Sequence, residues 1–128
     1  MILFFDRSVG DRIPQALLHL KSPVGIEYHR RHFAPDCPDD VWLAEVGRHG
    51  WFVVSQDYKH HVLPNELAAI RQFNVGLFYL EGAELPMWET MRLIMRTFDR
   101  IVAAAESTPR PFVFRVRRNG RLIRLALP

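Results

Sequence analysis

At 128 residues, with 48% hydrophobic and 24% charged side chains, the chain is sized for one globular core, which excludes a disordered or fibrous polymer. Its only cysteine, Cys37, excludes an internal disulfide framework, and no apolar run approaches a membrane span, so a cytoplasmic protein without a membrane partner is expected. A net charge of +3 says little alone, but its placement says more: no acid follows Glu106, while Arg110, Arg115, Arg117, Arg118, Arg121 and Arg124 do.

In chain order, Ile2 to Phe5 reads as a buried strand that breaks at Asp6. Asp11 is placed as the N-cap of a first helix, with Pro14 in its first turn and Ile13, Leu17 and Leu20 on its apolar face. Val24 to Tyr28 is a second strand, and the polar, aromatic stretch from His29 to Pro38 reads as a loop. A second helix runs from Asp40 to about Arg48, ending before Gly50. Trp51 to Ser55 is an apolar strand that meets a hydroxyl and then Asp57. Strands apolar on both faces belong in a parallel sheet covered by helices, and open α/β sheets do their chemistry beyond the carboxyl ends of such strands.

Lys59, His60 and His61 lie in the loop that follows, and the set His29, His32, His60 and His61 shows no metal-ligand spacing on a helix face, which suggests surface or RNA-facing positions. Pro64 opens a helix through about Phe73, and Val75 to Leu80 is another buried strand. The longest helix begins near Pro86, with Met87, Met91, Ile94, Met95, Phe98, Ile101, Val102 and Ala105 as its expected buried stripe. Phe112 to Arg117, Asn119-Gly120 and Leu122 to Leu127 read as a hairpin with a two-residue turn. That turn would place Val116 opposite Ile123 and Arg115 opposite Arg124. Two like charges facing each other across a hairpin suggest a nearby anion. The expected architecture is one α/β domain over 1–128: a parallel sheet sandwiched by helices (1–108), then a basic antiparallel hairpin (109–128).

The candidate chemistry lies in carboxylates at one sheet edge. Asp6 and Asp57 follow strands, and Asp39 precedes a helix that begins where those strands end. Three converging carboxylates repel unless a cation neutralises them, and an all-oxygen set suits Mg²⁺ or Mn²⁺. Ser55 is placed to orient a carboxylate or a metal-bound water. Asp40, Glu66 and Glu27 are further acids, although the first turn of a helix already favours Asp40 and Glu66 for dipole reasons. Arg115, Arg117 and Arg124, with Arg30, Arg31 and Lys59, are the candidate RNA- or anion-binding cations.

The run Phe4-Phe5-Asp6, Asp39 three residues before Trp42, and Gly50-Trp51-Phe52-Val53-Val54-Ser55-Gln56-Asp57 together resemble the PIN-like nucleases. The resemblance is closest to the small subgroup related to VapC-type toxins of bacterial toxin–antitoxin pairs. It implies a metal-dependent ribonuclease, with Asp6, Asp39 and Asp57 as ligands and Ser55 as the hydroxyl of the family's Ser/Thr-x-Asp. It also implies an RNA substrate and a cognate antitoxin protein, with homodimerisation left open. The alternative is a catalytically silent PIN-like module that binds nucleic acid or protein through its arginine-rich hairpin. A phosphoacceptor receiver domain fits less well, because Leu80-Glu81 offers no Ser or Thr and no Lys closes the final parallel strand.

Overall fold

A computed structural model describes residues 1–128. Its strands are β1 (Ile2–Phe5), β2 (Gly25–Tyr28), β3 (Phe52–Ser55), β4 (Gly76–Leu80), β5 (Phe112–Val116) and β6 (Leu122–Leu125). They form one sheet in the order β2-β1-β3-β4-β5-β6. All neighbours are parallel except β5 and β6, so the hairpin extends the sheet as its antiparallel edge. The helices are α1 (Arg12–His19), α2 (His29–His32), α3 (Asp39–Arg48), α4 (Pro64–Gln72) and α5 (Met87–Ser107).

Because side chains alternate across a strand, the sheet builds two cores. Leu3, Phe5, Val54, Phe78 and Phe112 point to one face, where α1 and α5 cover them with Ile13, Leu17, Leu93, Ile94 and Ile101. Phe4, Val53, Leu77, Tyr79 and Val113 point to the other, under Trp42, Leu43 and Val46 of α3 and Ala69 and Ile70 of α4. Burial on both faces is why β3 and β4 read as unbroken apolar runs.

The helix placement carries a topological consequence. The chain steps outward from β3 to β4 and from β4 to β5 in the same direction, yet α4 and α5 cross on opposite faces. The β4–α5–β5 crossover therefore has the opposite hand to the other three, a rare arrangement for parallel strands. It leaves α3 and α4 alone to frame the second face, and Leu125 and Leu127 pack beside Val113 where no helix reaches.

Four expectations are corrected. The chain from His29 to His32 is a helical turn, and His29 is buried under Phe33 and Trp42. Asp11 makes no side-chain cap to α1, because its carboxylate accepts from Arg30 at 2.6 Å. The buried face of α5 is Thr90, Leu93, Ile94, Thr97, Phe98, Ile101 and Ala105, so Met87 and Met95 are exposed beside Trp88. The hairpin register is displaced by one residue, pairing Val116 with Leu122, Arg115 with Ile123 and Phe114 with Arg124.

The turn explains that displacement. The Arg117 N–H donates to the Arg121 carbonyl and the Gly120 N–H to the Arg117 carbonyl, each at 2.8 Å. Only Gly120 (φ +87°) is left-handed. Asn119-Gly120 thus ends a three-residue loop, a type I turn closed by a left-handed glycine, rather than forming a two-residue turn. Arg115 and Arg124 consequently point to opposite faces, and the like-charge pair does not form.

Gly76 marks the tightest packing between the central strands. A Cβ there would lie 2.6 Å from Phe112 Cζ and 2.8 Å from Phe52 Cδ1, both in buried rings. Gly76→Ala is expected to lower unfolding free energy by about 1–3 kcal/mol, read from urea denaturation at an unchanged slope. An unchanged midpoint would mean that the two rings can move aside freely.

Candidate metal centre

The sheet order reverses between β1 and β3, and the crevice at such a switch point is where open α/β sheets bind ligands. Asp6 follows β1, and its N–H donates to the Val54 carbonyl at 3.1 Å, carrying the ladder one residue further. Its carboxylate is 2% exposed and fully engaged. Oδ1 accepts from the Ser8 N–H at 3.0 Å and from the Ser8 hydroxyl. Oδ2 accepts from the Ser55 hydroxyl at 2.6 Å and faces His60 Nε2 at 3.1 Å. The two serines also tie the loops together: Ser8 Oγ accepts from the Gln56 N–H at 2.8 Å, and Ser55 Oγ from the Asp57 N–H at 2.9 Å.

His60, in the loop between β3 and α4, is the centre of the arrangement and is 1% exposed. Its Nδ1 lies 2.5 Å from Glu66 Oε1 and 3.9 Å from Asp39 Oδ2. The Trp42 ring meets it edge-on at 5.4 Å, and the Tyr79 ring stacks on it at 6.3 Å. With a carboxylate at each nitrogen, an imidazolium ring can donate to both at once. Burial works against that charge, but hydrogen bonds to Asp6 and Glu66 and the nearby Asp6 and Asp57 charges outweigh it and raise the pKa to about 9. Burial also pushes the Glu66 carboxyl up, in spite of His60.

Asp39 opens α3, where the helix N-terminus favours its charge. Its Oδ1 accepts from Trp42 Nε1–H at 2.8 Å and from Arg7 at 2.5 Å. Its Oδ2, together with His60 and Glu66, completes a cluster whose donor atoms all lie within 4.8 Å of one another. The Asp57 carboxylate stands next to this cluster but turns Oδ1 to the Lys59 N–H at 3.0 Å.

The donor set fits a divalent ion. Metal-bound imidazoles present one nitrogen to the ion and donate the other N–H to a carboxylate. Here Nδ1 faces Asp39 and Glu66 while Nε2 faces Asp6. An ion at Nδ1 would displace that nitrogen's proton, so metal binding and the imidazolium compete for the same carboxylates, Asp39 and Glu66.

Of the residues singled out in the sequence, Asp6, Asp39, Ser55 and Glu66 meet in this crevice, and Asp57 flanks it. Asp40 faces the α3–α4 groove. Glu27 is engaged elsewhere by His32 at 2.5 Å and Arg31 at 3.6 Å. Arg30 pairs with Asp11. Arg115 and Arg117 reach the same sheet edge but share Glu81, at 2.8 and 3.8 Å. Burial alone would raise the Glu81 carboxyl, yet the Arg118 N–H and the two guanidiniums hold it below its usual range. Lys59 and Arg124 are exposed and have no ion-pair partner.

Sequence reasoning missed His60 and Ser8. His60 is buried, contrary to the surface position expected for it, and its only signal was a loop leaving the same sheet edge as Asp57. Glu66 offered a better one, since α4 begins at the edge where α3 presents Asp39.

A mainly parallel sheet with clustered acids at its switch point defines an α/β domain with a candidate metal site. The chain belongs to the family described as "PIN like domain", whose profile matches residues 1–82 and so contains every residue of the crevice. PIN-like domains are often nucleases, and the acid–histidine cluster could hold a divalent metal ion. No curated protein and no solved structure matches the chain. No helix is long and apolar enough to cross a membrane.

The His60 network gives metal-free protein a defined pH response. A folded pKa near 9 exceeds the unfolded value near 6.5, so this stabilisation is full below about pH 6.5 and is lost as pH rises through about 9. In EDTA, wild type is expected to lose about 3 kcal/mol more than His60→Gln between pH 6.5 and 10, measured by urea unfolding. Parallel pH profiles for the two proteins would show that His60 is neutral in the fold.

Proposed function

We propose that the chain is a metal-dependent ribonuclease using Mn²⁺ or Mg²⁺. The observation that carries this reading is the convergence of Asp39, His60 and Glu66 over Asp6, from four separate elements, at the switch point of a PIN-like sheet. Asp39, His60 and Glu66 would hold the ion, and their mixed nitrogen and oxygen donors favour Mn²⁺ over Mg²⁺. Held there, such an ion would supply Lewis-acid polarisation of a phosphate oxygen and activation of the attacking water.

The chain's own groups do the rest. Ser8 and Ser55 fix Asp6, and Asp6 orients His60. Trp42 and Tyr79 exclude water from the imidazole. Lys59, exposed and without an ion-pair partner, would hold backbone phosphates of the incoming strand, which gives affinity and salt dependence but not base choice. Arg115 and Arg117 contribute less than their number suggests, because Glu81 already neutralises part of their charge.

The toxin half of a toxin–antitoxin pair is the finer form of this reading and rests on the resemblance to VapC-type chains. The antitoxin would be a protein partner that covers the acidic crevice. Induced expression of wild type would then arrest growth while Asp39→Asn would not. Equal growth would remove the toxin role and leave the ribonuclease.

The deciding assay is cleavage of a mixed RNA pool by purified protein with Mn²⁺, with Mg²⁺ and with EDTA. Cleavage is expected only with a metal, to be lost in Asp39→Asn and Glu66→Gln, and to fall about 10- to 100-fold in Asp6→Asn, which acts through His60. Folded protein that cleaves nothing under any of these conditions would favour the silent binding module.

A further inference from the structure

Next to the acids, but separated from them by Arg7, a cavity of about 220 Å³ opens between the β1–α1 loop and α2. Arg7, Gly10, Asp11, His29, Arg30, Phe33 and Pro35 line it. Nothing in the metal centre uses it. Its exposed walls are mostly carbon, and two arginines, Arg7 and Arg30, are among the residues that line it. His29 is 3% exposed, and its Nε2 is buried without a hydrogen-bond partner. A buried polar nitrogen without a partner is costly, and the residue that carries it lines this cavity.

The dimensions restrict that ligand. The cavity is smaller than the 300–1,000 Å³ typical of clefts for cofactors and drug-sized molecules, so it suits a single ring system. The rings of His29 and Phe33 pack on each other with centroids 5.4 Å apart, so the half-buried Phe33 offers the aromatic wall and His29 backs it. Arg30, paired at one nitrogen with Asp11, keeps an 80% exposed side chain at the rim. Flat heteroaromatic bases stack on aromatic and guanidinium faces, and their phosphates pair with arginine.

The position relates the cavity to the acids. Arg7 both lines it and donates to Asp39 at 2.5 Å. From His29, the aromatic contacts run through Trp42 (6.0 Å) to His60 (5.4 Å beyond). A nucleotide in the cavity would place its neighbouring phosphate towards the crevice.

We infer that the cavity between the β1–α1 loop and α2 is a nucleobase subsite, in which one unpaired base rests against Phe33 while the exposed Arg30 holds its phosphate. This rests on the ribonuclease reading for its purpose, but its test does not require cleavage. Histidine-labelled protein in EDTA is titrated by NMR with the four nucleoside 5′-monophosphates, ribose 5-phosphate and inorganic phosphate. At least one nucleotide should shift the His29 ring signals saturably and bind about tenfold or more tightly than ribose 5-phosphate. Phe33→Ala should weaken that binding by about tenfold or more. Because Phe33 also packs on Phe4, the exposed Arg30→Glu serves as the second variant and should weaken it as well.

Equal affinity for ribose 5-phosphate and the nucleotides, or nucleotide binding that leaves His29 unmoved, would overturn the inference. So would the absence of any binding. A chain that binds nucleotides here but cleaves no RNA keeps this site and loses the nuclease reading. A chain that cleaves RNA with a silent cavity loses only this site.

Discussion

The crevice depends on one buried imidazolium. Asp6, Asp39 and Glu66 approach one another from β1, α3 and α4, and without a positive group among them at least one would have to protonate or move away. His60 answers that by donating to Asp6 and Glu66 at once. The cost of burying a charge is offset only because both ring nitrogens are satisfied, and removing either acid would leave the other charges exposed to each other. The same constraint fixes the loop between β3 and α4, which has to deliver His60 beneath Trp42 and Tyr79. A divalent ion would meet the same charge requirement, so the fold arrives at a cation-shaped need before any metal is considered.

What brings those acids together is strand order rather than local sequence. The reversal between β1 and β3 puts Asp6 and Ser55 on adjacent strands, close enough for a 2.6 Å hydrogen bond between residues far apart in the chain. α3 and α4 then begin at that edge and aim Asp39 and Glu66 inward. The opposite-handed crossover of α5 keeps the longest helix on the far face, away from α3 and α4. Long-range topology here produces the geometry that chemistry needs.

The fold was largely legible because its signals are periodic. Doubly apolar strands identified a parallel sheet, and the acids at strand ends pointed to the edge where the crevice lies. The misses have physical reasons. A side chain's burial in a loop has no periodicity, so nothing in Lys59-His60-His61 separated the buried imidazole from its neighbours. Asn-Gly serves either as a two-residue turn or as the end of a type I turn with a left-handed glycine, and the choice between them shifts every partner of β6. The α5 stripe was misplaced because methionine reads as core, although Thr90 and Thr97 are the buried residues; Thr97 satisfies its hydroxyl on the Leu93 carbonyl at 2.7 Å. The arginines misled because composition counts charges without their partners.

The extent of the family match sharpens this division. Residues 1–82 contain β1 to β4, α1 to α4, the acids, His60 and the cavity beside Arg7. The remaining residues contribute no side chain to the crevice. They supply instead the packing that holds it: α5 buries Leu93, Ile94, Phe98 and Ile101 against Leu3, Phe5 and Val54, the residues that set the spacing of β1 and β3. The last two strands protect the β4 edge and bring Arg115 to Glu81. Substitutions after residue 82 should therefore act on the centre through strand position and stability rather than through its charges. Within 1–82, Arg7 is the exception that couples two sites, since one guanidinium both neutralises Asp39 and walls the cavity.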